Sequence, residues 1–179
     1  MAKQHRIYTV HPKLRPDGTP ITLTSEFPDI AKEWDYSKNN RNPEEFIPGS
    51  NYNANWICPK GHHYSTAIAK RTQRGDGCPF CSGKQALAGF NDLLTLMPEL
   101  ALEWHPEKND LMPYEVRPGS KKKVWWICPK CGCEYQAIIS NRTIHHSDCP
   151  KCRYKKASAS RREHNRLLRE SSKPKSPFA

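Results

Sequence analysis

The feature that most constrains this chain is a set of paired cysteines and histidines that occurs twice. Cys58-Pro-Lys-Gly-His62 and Cys78-Pro-Phe-Cys81 are followed by Cys128-Pro-Lys-Cys131 and Cys149-Pro-Lys-Cys152. Zinc takes four nitrogen or sulfur ligands in a tetrahedron, and ligands two to four residues apart can both come from one tight turn. Two such pairs of pairs predict two structural Zn2+ ions, one per copy. The expected ligands are Cys58, His62, Cys78 and Cys81, then Cys128, Cys131, Cys149 and Cys152. Two positions stay open. His63 could replace His62, although His62 keeps the turn tighter. Cys133 aligns with His62, yet Cys128-x-x-Cys131-Gly is the commoner knuckle.

The chain around these pairs is itself repeated. Residues 28–58 read PDIAKEWDYSKNNRNPEEFIPGSNYNANWIC, and residues 98–128 read PELALEWHPEKNDLMPYEVRPGSKKKVWWIC. At an offset of 70, Glu33 matches Glu103, Trp34 Trp104, Lys38 Lys108, Pro43 Pro113 and Trp56 Trp126. One inserted residue moves the offset to 71, pairing Tyr64 with Tyr135, Arg71-Thr72 with Arg142-Thr143, and Cys78 and Cys81 with Cys149 and Cys152. The chain is a tandem duplication.

Composition explains why metal is needed. Only 36% of the residues are hydrophobic and 16 are proline, so little apolar surface is available for a core. Nothing after the first residues reads as a signal peptide, and no run approaches a membrane span. A cytoplasmic location follows as the expectation, where thiols bind metal rather than pair as disulfides. Structural zinc in units this small is worth about 10–16 kcal/mol, so metal removal should unfold them. The sites read as structural because a catalytic zinc keeps one position open.

Each copy predicts a short helix, a Pro-Gly-Ser turn and a hairpin, giving a small α+β fold. Ser25 or Thr24 is expected to cap a helix over Pro28–Trp34, and Asn91 one leading to Pro98–Trp104. Strands are expected over Ala54–Ile57 and Tyr64–Ala69, and over Val124–Ile127 and Tyr135–Ser140, with the Arg-Thr pair in the following loop. A short helix should follow each second ligand pair. The expected organisation is an extended arm over 1–22, repeat one over 23–90, repeat two over 91–156 and a basic tail over 157–179. In that tail Arg161–Glu170 could be helical, while Ser171–Ala179 has the composition of a disordered end.

These motifs resemble the zinc-ribbon family of treble-clef type found in bacterial and phage proteins. The resemblance rests on LALEWHPEKND, PGSKKKVWWICPKCG and NRT…DCPKC in copy two, and on KEWDYSKN, NWICPKGH and CPFCSGKQALAGFNDLLTLMPELALEW in copy one. It covers about residues 23–152. It implies two tandem treble clefs, each with a knuckle on a hairpin and two further ligands at a helix start. Relatives are often joined to nuclease domains, for which this chain has no room.

Function is less constrained. Net charge is +11, falling to about +8 once two zinc ions are held by seven thiolates and one imidazole. That favours a nucleic acid, DNA before RNA. Candidate phosphate contacts are Lys60, Arg71, Lys121, Lys122, Lys123, Lys130 and Arg142 with the basic tail, although Arg71 and Arg142 could instead pack or bond a carbonyl near the zinc loop. Trp34, Trp104, Trp56 and Trp126 are expected in the cores. Trp125 replaces Asn55 and could stack on a base or pack between the repeats. A protein-binding adaptor of phage or mobile-element origin is the alternative. A nuclease of HNH type, with His145-His146 and His164-Asn165 in its site, is a weaker one. No membrane or small-molecule substrate is expected.

Overall fold

A computed structural model of the chain describes residues 13–171. The first part of the expected arm and nearly all of the expected disordered end lie outside the described residues. The chain divides into two compact units, Met1–Lys84 and Gln85–Ala179. By this division residues 85–90, placed with the first repeat by the sequence, fall in the second unit. Asn91 ties the segment together: its Oδ1 accepts from Leu87 N at 2.7 Å and its Nδ2 donates to the Gln85 carbonyl at 2.9 Å.

The first unit opens with α1 (Leu23–Glu26) and α2 (Pro28–Ala31), passes a 3-10 turn (Pro43–Glu45), and forms the hairpin β1 (Asn53–Ile57) and β2 (His63–Ala67), then α3 (Ile68–Thr72). The second repeats the order with α4 (Leu93–Leu96), α5 (Pro98–Ala101), a 3-10 turn (Pro113–Glu115), β3 (Lys123–Ile127), β4 (Glu134–Ile138) and α6 (Ile139–Thr143). It ends in α7 (Pro150–Ser171). Both hairpins are antiparallel in the same register, Trp56 opposite Tyr64 and Trp126 opposite Tyr135. Alternation along the strands then sends Ala54 and Trp56, or Val124 and Trp126, into the core.

The repeated tryptophans form those cores. Trp56 and Trp126 are fully buried, and each meets its partner edge-on, Trp34 at 5.3 Å and Trp104 at 5.4 Å between ring centroids. Such aromatic pairs add about 0.5–1.5 kcal/mol beyond area burial. Each indole finds a carbonyl: Trp34 Nε1 donates to Arg41 O and Trp56 Nε1 to Thr66 O, with Leu111 O and Ala137 O taking these places in the second unit. Trp34 and Trp56 also bridge as backbone, Ile57 N donating to Glu33 O at 2.7 Å. The pairing stops α2 at Ala31, short of the expected Trp34.

Three further expectations are corrected. The helices expected from Pro28 and Pro98 start after Phe27 and Met97 with no side-chain cap from Ser25, Thr24 or Asn91, and the capped helices are α1 and α4, by Thr22 and Asp92. Thr22 Oγ1 accepts from Ser25 N at 3.1 Å and Asp92 Oδ1 from Thr95 N at 2.9 Å, each satisfying a donor that a helix start leaves open. The second strands end at Ala67 and Ile138, two residues early, because buried Ile68 and Ile139 turn into α3 and α6. The Arg-Thr pairs therefore lie on helical turns rather than loops. After the last ligand pair only the second unit forms a helix. In the first, Gly83 takes φ +68° and closes a single turn, whereas Tyr154 at the matching position lets α7 run for 22 residues. Residues 157–171 of the expected basic tail are thus the continuation of this helix, and the rest of that tail lies outside the described residues.

Candidate metal centres

Each hairpin presents a knuckle in the turn between its strands. In the first unit Gly61, at φ +80°, donates N–H to Cys58 O at 2.7 Å, and Cys58 N donates to His62 O at 3.1 Å. That loop carries the Cys58 thiol and the His62 ring to one side. In the second unit Gly132, at φ +65°, donates to Cys128 O at 2.9 Å, and Cys128 N donates to Cys133 O at 3.0 Å. By backbone pairing Cys133 matches His62, so the one-residue insertion between the copies is Cys131. The inserted residue is itself the ligand.

The remaining ligands come from the other end of each unit. Cys78 and Cys81 flank a turn in which Ser82 N donates to Cys78 O at 3.0 Å. Cys149 precedes α7, Pro150 opens it where its missing N–H costs nothing, and Cys152 lies in the first turn.

Four donor atoms converge in each unit. Cys58, His62, Cys78 and Cys81 place theirs within 4.8 Å of one another, as do Cys128, Cys131, Cys149 and Cys152. Cys58 Sγ lies 3.8 Å from Cys81 Sγ and 3.5 Å from His62 Nδ1, with Cys78 Sγ 3.7 Å from the same nitrogen. In the second set Cys128 and Cys152 are 3.7 Å apart, Cys131 and Cys149 3.8 Å. Sulfurs about 2.3 Å from a tetrahedral zinc stand roughly 3.8 Å apart, and disulfide sulfurs about 2.05 Å. Each set fits one zinc ion.

Electrostatics point the same way. Burial alone would push the Cys128 thiol up, but the backbone N–H groups of Lys130 and Cys131 and the neighbouring Cys131 and Cys152 thiols overcome it and bring it to about 7. Cys152 is pushed up to about 12, chiefly through its bond to Cys131, and Cys81 to about 11, chiefly by burial. A bound cation would displace the protons that these raised values keep on Cys81 and Cys152.

A family model described as a probable treble clef zinc finger domain matches residues 30–84 and again 100–155. The chain belongs to that family. No curated protein matches it. Both fingers thus have the treble clef plan, a knuckle on a hairpin facing a second ligand pair.

Residues beside the ligands fall into two groups. His63 is not a ligand of the first finger; its Nδ1 meets Asp35 Oδ2 at 2.9 Å. Cys133 is not one in the second: it lies outside the four converging donors, and its thiol donates to Glu134 O at 3.5 Å. Arg71 and Arg142 turn inward, which corrects their reading as phosphate contacts. Arg71 is buried over the Trp56 and Tyr64 rings, with Nη2 2.8 Å from Glu33 and Nη1 donating to Tyr64 Oη at 2.6 Å. Arg142 pairs with Glu103 and donates to Ser147 O, above Trp126 and Tyr135. The matching acids Glu33 and Glu103, repeated with the arginines, were the signal for this pairing.

The other candidates face solvent. Lys60, Lys121, Lys122, Lys123 and Lys130 are exposed. Trp125 is half-buried, with the Lys108 ammonium 4.9 Å above its ring. His145 and His146 are exposed in the turn after α6, and His164 and Asn165 on α7.

Proposed function

We propose that this chain is a non-enzymatic nucleic-acid-binding protein that grips duplex DNA in preference to RNA, with both zinc ions serving the fold. The observation that carries this reading is α7. It buries no residue and holds eight Lys/Arg against two Glu. Lys151, Lys155, Arg162, Arg166 and Arg169 follow one another at intervals of four, seven, four and three, placing them within a sector about 60° wide. A helix about 33 Å long with one basic stripe suits the major groove of B-form DNA. The deep, narrow major groove of A-form RNA does not admit it.

Lys60, Lys121, Lys122, Lys123 and Lys130 add exposed charge for phosphate contacts, and Trp125 offers a partly exposed ring for stacking. Arg71 and Arg142 are left out of this set, being paired with the half-buried carboxylates of Glu33 and Glu103. The non-enzymatic reading rests on saturation: each tetrad already offers four protein ligands and leaves no position for a reacting water. The reading extends to a reducing cytosol, which would keep the eight free cysteines competent for metal. Among the described residues no helix is long and apolar enough to cross a membrane.

The test is binding of the zinc-loaded chain to duplex DNA, single-stranded DNA and duplex RNA across a salt series. Affinity for duplex DNA should be highest, and log K should fall linearly with log salt, by about 0.9 per phosphate contact. Replacing Arg162, Arg166 and Arg169 with Gln should flatten that slope by about 2 to 3. Salt-insensitive binding, or none, would remove the reading.

A further inference from the structure

The two fingers share one scaffold but not one surface, and the difference is concentrated on α4 and the 3-10 turn Pro113–Glu115. Leu94, Leu96, Met112 and Tyr114 are all exposed, Leu96 to 55% and the others to 44–45%. At the offset of 70 their counterparts in the first finger are Thr24, Glu26, Asn42 and Glu44, every one polar or charged. The backbone beneath is the same: Leu23 N donates to Phe46 O in one finger and Leu93 N to Val116 O in the other. Thr24 Oγ1 donates to Glu44 Oε1 at 3.2 Å, so the matching Leu94 and Tyr114 occupy adjoining positions. Fold stability does not call for these apolar side chains, since the first finger builds the same elements without them.

The charges change with them. Glu45 of the first finger is paired with Arg41 Nε at 2.9 Å, and Asp29 with Lys32 Nζ at 2.7 Å. In the second finger Leu111 replaces Arg41 and Leu102 replaces Lys32. Glu115 keeps its backbone role, accepting from Met112 N at 2.7 Å, but no cation pairs with it or with Glu99 among the described residues. The second finger thus has leucines where the first has the cations that pair with the matching carboxylates.

We infer that the face of the second finger formed by Leu94, Leu96, Met112, Tyr114 and Glu115 docks a short segment of another protein, one with apolar side chains flanked by Lys or Arg. Charge complementarity sets the flanks, because an incoming cation takes the place that Arg41 holds in the first finger. Size sets the class: stable dimers use about 20–30 residues a side, and this face is a small fraction of that. A basic patch would have fitted a nucleic acid; these five residues include an acid and no lysine or arginine. The face is separate from α7, so it stands whether or not DNA is bound.

The experiment selects from a random peptide display library on the zinc-loaded full chain, then measures the synthesised peptides by fluorescence anisotropy. The control is L94T/L96E/M112N/Y114E, which carries the first finger's own residues and should keep two zinc ions and an unchanged circular dichroism spectrum. Selected peptides should hold apolar residues flanked by Lys or Arg, bind the natural chain at least tenfold more tightly than the control, and weaken with Glu115→Gln. The proposal is overturned if no peptide is enriched, if the peptides lack basic flanks, or if they bind the control equally. It is also overturned if the natural chain self-associates in sedimentation and the control does not, since the occupant is then a second copy.

Discussion

Asp35 Oδ2 lies 2.9 Å from His63 Nδ1, and the second finger makes the same contact with the partners exchanged, His105 Nε2 facing Glu134 Oε1 at 3.5 Å. The inner member of each pair also holds the following turn. Asp35 Oδ1 accepts from Ser37 N at 3.1 Å, and His105 Nδ1 from Glu107 N at 3.2 Å. An acid and an imidazole thus fill one structural role, provided the residue across the sheet is of the opposite kind. The contact links the segment after α2 or α5 to the strand leaving the knuckle.

Exchange within the first finger should therefore be reciprocal. Asp35→His and His63→Glu are each expected to lower the melting temperature, and the double variant to recover part of the loss, a coupling read by a double-mutant cycle. The Asp35 carboxyl is held below its ordinary value, chiefly by the Ser37 hydroxyl, against burial and with help from His63. A depressed carboxyl stabilises above its unfolded value, about 3.9, and loses that advantage as pH falls through the folded one. The stability gap between the natural chain and Asp35→Asn should accordingly narrow between about pH 5 and pH 3. A gap that widens in acid would contradict the assignment.

Tyr64 and Tyr135 occupy the same place but are bonded differently. Tyr64 Oη accepts from Arg71 and donates to Glu33 Oε2 at 3.1 Å, while Tyr135 Oη is buried without a partner among the described residues. Tyr64→Phe should cost about 1.5–3 kcal/mol because it strips a bond to charged groups. Tyr135→Phe should be neutral or slightly stabilising. Denaturant unfolding with zinc present separates the two. Arg71→Ala should cost more than Tyr64→Phe, since it leaves the half-buried Glu33 without its cation and empties a buried site over two rings.

Cobalt substitution distinguishes the two candidate thiols of the second knuckle. Cys133→Ser should leave two ions per chain and an unchanged charge-transfer band. Cys131→Ser should remove one high-affinity ion. The opposite pattern would mean that the alignment with His62, rather than the insertion, marks the ligand.

The caps give a smaller effect with a clear contrast. Asp92→Ala should lower the stability of the second finger by about 1 kcal/mol, through loss of the bond to Thr95 N. Thr22→Ala should do the same in the first finger. Ser25→Ala is expected to fall short of that, because its hydroxyl accepts from Thr22 N, outside the helix, and its other contacts are long ones of 3.2–3.4 Å. Thermal melts of the zinc-loaded variants measure all three.

The ligands were legible because tetrahedral zinc restricts spacing so strongly that eight positions could be named before any fold was known. The tryptophan cores were legible through duplication, which marks what both copies must bury. Helix starts were not, because the comparison began at Pro28 and Pro98, although Leu23 and Leu93 already match five residues earlier. Arg71 looked like a surface cation because charge in a sequence carries no direction. Its inward turn depends on Glu33, 38 positions away, and on two rings that form its floor. Gly83 against Tyr154 decides between one turn and a 22-residue helix, a difference a short ligand motif does not advertise.

Metal content and its removal bear most directly on how these fingers are held together. Native mass spectrometry of the full chain should find two zinc ions, and exhaustive chelation should abolish amide dispersion in both fingers, since each ion contributes about 10–16 kcal/mol. A dispersed spectrum that survives complete loss of metal would show that the cores fold unaided. Fewer than two ions in a fully folded preparation would contradict the tetrads themselves.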